Sequence, residues 1–482
     1  GILHCNDWET ALAVIYLRDE QAKSEKLRGI RSVYTIHNIA YQGQFGEAEL
    51  YDTFGLPSGW YDGGLSYIHE GRRDVNLMKG AMLMADAVST VSPTYAKELH
   101  YPQFGHGLQG VADMVENKMR GILNGLDTEL YNPKKNKDIP ANFSVRKMEG
   151  KAVCKAAIQK RFGLEVEADF PLLASVARLV EQKGIELVKQ ILPGLMDMGV
   201  QLVVFGQGEQ QYIDFFNDAC RRWPGQIGFS SDYNDQVASE IFAGADMYLM
   251  PSRFEPCGLS QMMAMRYGTV PIVHETGGLK DSVRPYSNFD GEGDGFSFSS
   301  YEAKDLYLTI LEAVKIYFCD RDTFSKLRKR CMTKDFTWEK SAAQYNRMYG
   351  EIYDEPTDST LTFEEAFKQL KKAYIDLDKK NKERFPDLVR DNYHRVFEIN
   401  ITGRGAGTFS VEFESGNIKV EPFEYKGAAA VISASFDNLM GLAKGTLSYD
   451  KLFMNGQLTI RGNVVKGSEM RQLLTPAEGG WK

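Results

Sequence analysis

The stretch Pro251-Ser252-Arg253-Phe254-Glu255-Pro256-Cys257-Gly258-Leu259 decides how this chain reads, together with Thr276-Gly277-Gly278-Leu279 a short way downstream. Between them lie a helix-like segment and the apolar run Thr269-Val270-Pro271-Ile272-Val273, so the order is loop, helix, strand, glycine turn, helix. A carboxylate near one helix start can hold sugar hydroxyls. A glycine pair at another lets backbone N–H groups approach an anion at the positive end of a helix. The two segments together suit a sugar nucleotide.

Outward from this stretch, short apolar runs alternate with helical patterns. Residues 171–176, 200–205, 246–250 and 269–273 are predicted strands, and 31–36, 86–91 and 119–123 are three more upstream. Strands alternating with helices mark parallel α/β sheets. The polar, proline-flanked run 134–140 suits an interdomain linker. A helical pattern over 336–349 is expected to close the second α/β unit, and 354–359 reads as another linker. Composition then shifts. Thr362 and Glu365 form a capping-box pattern ahead of a helix carrying Phe363, Phe367 and Leu370. Phe409, Val411 and Phe413 alternate with Ser410 and Glu412, and Ser415-Gly416-Asn417 turns into 418–420, a hairpin pattern. The predicted architecture is α/β, with Rossmann-like domains at 1–143 and 144–353 followed by an α+β module at 360–482.

Composition sets outer bounds. A chain of 482 residues, 43% hydrophobic and 25% charged, is long enough for several globular cores. A net charge of −8 argues against nucleic acid or an anionic membrane as the main partner. No apolar run is long enough to span a bilayer. Six cysteines without close pairing or zinc-like spacing suggest reduced thiols and a cytoplasmic protein. No histidine–carboxylate set has ligand spacing, so no metal is expected, and no other cofactor either.

Four further segments complete the pattern: His4-Cys5-Asn6-Asp7-Trp8-Glu9-Thr10-Ala11-Leu12, Thr35-Ile36-His37-Asn38-Ile39-Ala40-Tyr41-Gln42-Gly43, Ile122-Leu123-Asn124-Gly125-Leu126-Asp127, and Ala177-Arg178-Leu179 with Gln182-Lys183-Gly184. With the opening stretch, they resemble the glycogen (starch) synthases of the bacterial ADP-glucose type over roughly the first 350 residues. These are retaining glucosyltransferases of the GT-B type, with two Rossmann-like domains. The resemblance implies transfer of glucose from ADP-glucose to the non-reducing end of an α-1,4-glucan. ADP rather than UDP rests on the family pattern and on no single residue. Segments 436–443, 445–450 and 452–460 resemble the sterol carrier protein 2 family, which implies an apolar lipid as a ligand of the last module.

The candidate site residues divide by chemistry. His37 follows a predicted strand; it either caps a βα turn or, as the resemblance implies, supports the glucose as positive charge develops at its anomeric carbon. Arg178 and Lys183 lie just past another strand, and two cations on one loop can neutralise a leaving diphosphate. Arg178 ends an apolar strand, where an unpaired cation is costly, so a phosphate partner is expected. Glu255 reads as a sugar-hydroxyl and charge-orienting group. Related transferases place a second glutamate eight positions later, where this chain has Met263, as glycogen synthases also lack it. Cys257 is expected to be a small packed thiol beside the sugar rather than a nucleophile. The resemblance implies that Tyr233 stacks on the nucleotide base and that Asp7 and Trp8 lie near the glucan acceptor; a core tyrosine and a core tryptophan are the other readings. Gly206 and Gly208 follow a strand, where glycine serves both tight turns and nucleotide contact. By resemblance, Asn38, Asn124, Gly258, Leu259, Thr276, Gly277 and Gly278 complete the substrate-binding set.

Family members begin with a lysine-glycine-glycine-leucine loop that no segment before His4 supplies. The first Rossmann-like domain is therefore expected to be incomplete, with 1–3 the end of a strand, which leaves open whether the fragment is active alone. Two other readings stay open: a non-catalytic glucan- or lipid-binding protein, and a glycogen phosphorylase, which would need pyridoxal phosphate on a lysine. For the last module, an apolar tunnel and a closed core both fit Phe409, Val411, Phe413, Leu439, Met440 and Leu442.

Overall fold

A computed structural model describes residues 1–69, 71–353, 361–384, 394–402, 405–414, 417–423, 425, 428–449, 452 and 458–462. The expected linker 354–359 lies outside these residues, as do Ser415, Gly416, Asp450 and 453–457 of the tail patterns. Residues 1–112 with 119–350 form one compact unit; 351–482 with 113–118 form the other.

The first unit holds two lobes, each built on a parallel sheet. Strands β1 (Ile2–Asn6) and β2 (Arg31–Ile36) open the first lobe. A small antiparallel sheet of β3 (Gln44–Gly46), β4 (Ser66–His69) and β5 (Arg72–Asn76) follows, in the order β3-β5-β4. Then come β6 (Ala87–Thr90) and β7 (Met119–Gly121). The main sheet runs β1-β2-β6-β7, all parallel. Val33, Tyr34 and Ile36 are fully buried, as a strand covered on both faces requires. The segment read as the end of a strand belongs to β1, which pairs with β2 from Ile2 to Asn6.

The second lobe carries β8 (Leu172–Val176), β9 (Gln201–Phe205), β10 (Ile227–Ser230), β11 (Met247–Met250), β12 (Val270–His274) and β13 (Phe296–Phe298), ordered β10-β9-β8-β11-β12-β13. Every pairing is parallel. The order reverses between β8 and β11, which opens the crevice where ligands of doubly wound sheets bind. A buried ion cluster stitches helices to this sheet. Asp246 accepts from Lys155 Nζ at 2.7 Å and also from Arg328. Burial works against its ionisation, but the two cations outweigh that and hold its carboxyl below the ordinary range.

Two elements behave differently from expectation. The helix Trp338–Tyr353, read as closing the second lobe, reaches the first: Tyr349 OH lies 2.7 Å from His4 Nδ1, and Ser341 Oγ donates to Leu123 O. The run 134–140 is no free tether, because Asn136 Nδ2 donates to Tyr267 OH at 2.6 Å and Asn142 Nδ2 donates to Asn136 O at 2.6 Å.

In the second unit the capping box forms. Glu365 Oε2 accepts from the Thr362 N–H at 3.0 Å, and Thr362 Oγ1 accepts from the Glu365 N–H at 3.3 Å. The helix Phe363–Arg384 follows. Strands β14 (His394–Thr402), β15 (Gly407–Glu414), β16 (Asn417–Glu421), β17 (Ala430–Ser435) and β18 (Leu458–Gly462) form a sheet ordered β16-β15-β14-β17-β18. Only β14 with β17 is parallel; β15 and β16 make the expected antiparallel pair. Phe397, Ile399, Phe409, Val411 and Ile432 bury one face against Leu370, Leu439 and Leu442, so the side chains read as tunnel walls share one packed core.

Candidate active site

The site residues lie on loops at the carboxyl ends of parallel strands, and the topology explains why. Strands β1 and β2 are neighbours, so the residues that follow them meet. Asp7 starts the helix Asp7–Gln21 with a left-handed backbone, φ +53°. Its Oδ1 accepts the His37 N–H at 2.7 Å and the Asn38 N–H at 3.4 Å. His37 Nε2 lies 3.0 Å from Asn6 Oδ1, an oxygen that can only accept. Burial pushes the Asp7 carboxyl above its ordinary value, opposed by the His37 N–H bond and the imidazole charge. A strained residue holding a histidine loop is a common feature of functional sites. Trp8 is half-buried and packs on Phe45, ring centroids 5.9 Å apart, and on Gly43.

In the second lobe, β8 ends at the loop bearing Arg178 and Lys183, and β11 ends at 251–259. Lys183 Nζ donates to Glu255 Oε2 at 2.5 Å, and Ser252 Oγ donates to the same oxygen at 3.0 Å. Both ionic side chains are nearly buried, 15% and 10% exposed. Arg178 goes elsewhere: it is exposed and lines a cavity of about 630 Å³ with Gly206, Gln207, Tyr233, Asp235, Leu259 and Met263. The expectation of an unpaired cation buried at a strand end is thus corrected, because solvent already hydrates this guanidinium. Tyr233 is 53% exposed and stacks on Phe205 at 5.6 Å and 21°, so it is not core.

The glycine turns serve packing. Gly206 has φ +152°, and a Cβ there would lie 1.9 Å from Ala177 O; at Gly208 it would lie 2.1 Å from Leu179 O. Gly277 has φ +43°, and its Cβ would lie 2.0 Å from Glu255 O. The N–H groups of this turn are already engaged. Gly278 donates to Glu255 O at 3.0 Å, while the Gly277 N–H and Thr276 Oγ1 both donate to Glu98 Oε1 at 2.9 Å. Gly258 is buried with φ +67°, above Gln261. Cys257 is buried, and burial pushes its thiol up to about 12 despite a hydrogen bond with Asn124 of the first lobe. It is a packed thiol at the seam of the two lobes.

Several residues here escape sequence reading. Tyr131 lines the cavity, as do Asn136 and Asp138 from the run taken for a linker. His274 Nδ1 lies 2.8 Å from Ser252 O and steadies the Glu255 loop. Ser92, Thr94 and Glu98 meet the second lobe from the first. Only the serine–proline start of a helix signals this last segment in sequence, and that reports a cap rather than a contact.

Two parallel-sheet lobes whose strand ends carry a cavity, a cation loop and a buried lysine–glutamate pair define a GT-B glycosyltransferase. Residues 1–114 match the starch synthase catalytic domain, 157–332 the glycosyl transferases group 1 family, and 367–475 the SCP-2 sterol transfer family. The chain is 42% identical over 351 residues to a glycogen synthase of Clostridium novyi, covering 73% of this chain and 72% of that one. A glycogen synthase of Streptococcus equi subsp. zooepidemicus is likewise 42% identical over 348 residues, 72% of each. The solved catalytic domain of starch synthase IV from Arabidopsis thaliana, described as bound to ADP and acarbose, superposes with TM-score 0.67 at 32% identity over 73% of each chain. The chain belongs to the glycogen synthase family and is a glucosyltransferase of glycogen and starch synthesis, with an SCP-2 domain in its carboxyl-terminal region. Among the described residues no helix is long and apolar enough to cross a membrane.

Proposed function

We propose that this chain moves glucose from ADP-glucose to the non-reducing 4-hydroxyl of an α-1,4-glucan, with retention at the anomeric carbon. The observation that carries the reading is the near-buried Lys183–Glu255 pair on the same two loops that bring Arg178 and Leu259 to the cavity lined by Tyr233. The ADP and acarbose of the starch synthase IV structure support a nucleotide donor and a glucan acceptor. In this reading Tyr233, Gly206 and Gly208 border the nucleotide, and Arg178 and Lys183 stabilise the leaving diphosphate. Glu255, Cys257, Gly258, Leu259 and the 276–278 turn border the glucose. His37 supports the anomeric carbon, with Asp7, Asn38 and Asn124 shaping its surroundings and Trp8 at the acceptor side.

Glu255 Oε2 is held by a lysine and a serine, and Met263 brings no second carboxylate, so the step is a same-face displacement. The acceptor oxygen bonds the anomeric carbon as the bond to the diphosphate oxygen breaks. That departing oxygen takes the acceptor proton, giving ADP and a glucan one unit longer. Incubation of the full chain with radiolabelled ADP-glucose and glycogen tests it: label in ethanol-insoluble glucan is expected, and its absence refutes the reading. A glucosyl adduct on Glu255, sought by mass spectrometry with a slow donor, would overturn the single-step route.

We further propose the boundaries 1–143, 144–353 and 360–482, a cytoplasmic location, and an apolar lipid as ligand of the last module. Occupancy would require the helix Phe436–Lys444 to part from the sheet, since Leu439 and Leu442 are wholly buried on it. Saturable binding of a fluorescent fatty-acyl probe by the full chain is expected; its absence removes the lipid.

A further inference from the structure

One short helix of the first lobe touches both halves of the candidate site. Pro93–Glu98 is capped by Ser92, whose Oγ accepts the Tyr95 N–H at 3.1 Å. The same hydroxyl donates across the seam to Pro256 O at 2.7 Å, next to Glu255. At the far end, Glu98 Oε1 takes the Thr276 hydroxyl and the Gly277 N–H, both at 2.9 Å. The exchange is reciprocal. Asp281, on the helix Gly277–Ser282, accepts the Thr94 N–H and the Thr94 hydroxyl, each at 2.7 Å. Each lobe thus offers a carboxylate to the first turn of the other's helix, where charge and orphan N–H groups favour it.

The helix also faces the other way. Tyr95, 1% exposed, accepts the Ile39 N–H on its hydroxyl at 3.2 Å, beside His37 and Asn38. Beyond the seam, the 276–278 turn sits directly on the Glu255 loop through the Gly278 N–H and Glu255 O. A chain of hydrogen bonds and packed backbone therefore runs from the His37 loop through Tyr95 and Glu98 to the Glu255 loop.

We propose that Glu98 is a positioning residue, and that the 92–98 segment sets the His37 loop and the Glu255 loop in register across the seam. Glu98 touches no reacting atom. Its Oε2 is buried without a partner, a cost the fold accepts so that Oε1 can hold the turn. Removing the carboxylate frees Thr276 and Gly277 and lets the Glu255 loop drift relative to His37. A drift of about 1 Å costs about 100-fold in turnover. Glu98→Gln keeps an acceptor oxygen in place and restores the clasp.

The turnover part rests on the transferase reading above; the positioning part does not. Glu98→Ala, Glu98→Gln and the parent full chain are compared by amide hydrogen exchange and by ADP-glucose kinetics. In Glu98→Ala, exchange is expected to speed at Ile39, Arg253, Gly277 and Gly278, with the β9 amides unchanged; kcat falls about 100-fold while KM for ADP-glucose stays within about threefold, and Glu98→Gln restores both. Faster exchange at Gly277 alone, or an unaltered kcat in Glu98→Ala, overturns the proposal. If the parent transfers no glucose, the transferase reading fails and the exchange pattern at Ile39 and Arg253 still decides the positioning role.

Discussion

Replacing Lys183 with alanine probes the most strongly charged contact of the site. The Lys183–Glu255 pair is 2.5 Å apart with side chains 15% and 10% exposed. At that distance and an effective dielectric of about 20, the gross attraction is about 7 kcal/mol. Desolvation of both groups cancels much of it, and removing one partner of so buried a pair costs about 3–5 kcal/mol because the other charge is left unpaired. In Lys183→Ala, Glu255 keeps only the Ser252 hydroxyl at 3.0 Å as a side-chain donor among the described residues. For a unit of this size the loss corresponds to about 4–7 °C in Tm. The double variant Lys183→Met, Glu255→Leu removes both charges and should regain most of the lost stability. Calorimetry of parent, single and double variants at pH 7 measures this, with turnover in parallel expected to fall about 100- to 1,000-fold in Lys183→Ala. A single variant melting within about 1 °C of the parent, or a double variant less stable than the single, would refute the reasoning.

Arg178→Ala should separate from Lys183→Ala: its exposed guanidinium has no ion-pair partner among the described residues, so stability stays within about 0.5 kcal/mol while transfer falls about 100- to 1,000-fold, and Arg178→Lys stays poor if the contact is bidentate. Cys257, its thiol pushed up to about 12, should be among the last cysteines alkylated by iodoacetamide at pH 8, and exposed Cys319 among the first, as peptide mapping will report. Asp7→Asn should gain stability over the parent as pH rises: a buried acid with a raised pKa binds its proton more tightly when folded, so the parent loses stability between the unfolded value, near 3.8, and the higher folded one, whereas asparagine does not. Asparagine also tolerates the left-handed backbone at this position, so a Tm gap that fails to widen from pH 4 to 7 would argue against a buried Asp7 carboxylate.

The parallel strands were legible because burial on both faces writes them as apolar runs. The runs 31–36, 171–176 and 200–205 coincide with β2, β8 and β9 to within a residue. Strands β10 and β13 were not, because Ile227-Gly228-Phe229-Ser230 is diluted by glycine and serine and β13 is three residues long. The capping box at Thr362 is a local pattern and formed as read. The helix Trp338–Tyr353 shows the limit: its amphipathic period gives a helix but not which sheet it covers, and Tyr349 chooses His4, 345 residues away. Glu98 is invisible for the same reason, since an acidic residue at the end of a short helix reads as a solvated charge until the partner lobe is in place.

The glycine pairs carry the sharper lesson about the site. Gly206 with Gly208, and Gly277 with Gly278, follow strand ends and invite a phosphate reading. A neighbouring carbonyl oxygen lies about 2 Å from where each Cβ would be, so packing alone demands glycine at all four positions. Their conservation of space holds the Arg178 loop against 206–208 and the Glu255 loop against 276–278. What distinguishes this site chemically is therefore the side chains those glycines bring into line. Lys183 is committed to Glu255, Arg178 is left to the cavity, and Asp7 ties down His37. In the proposed reaction both cations serve the leaving diphosphate, Lys183 from a fixed position beside Glu255 and Arg178 from the cavity wall. Exchanging Arg178 and Lys183 in a double variant should therefore fail, even with total charge unchanged.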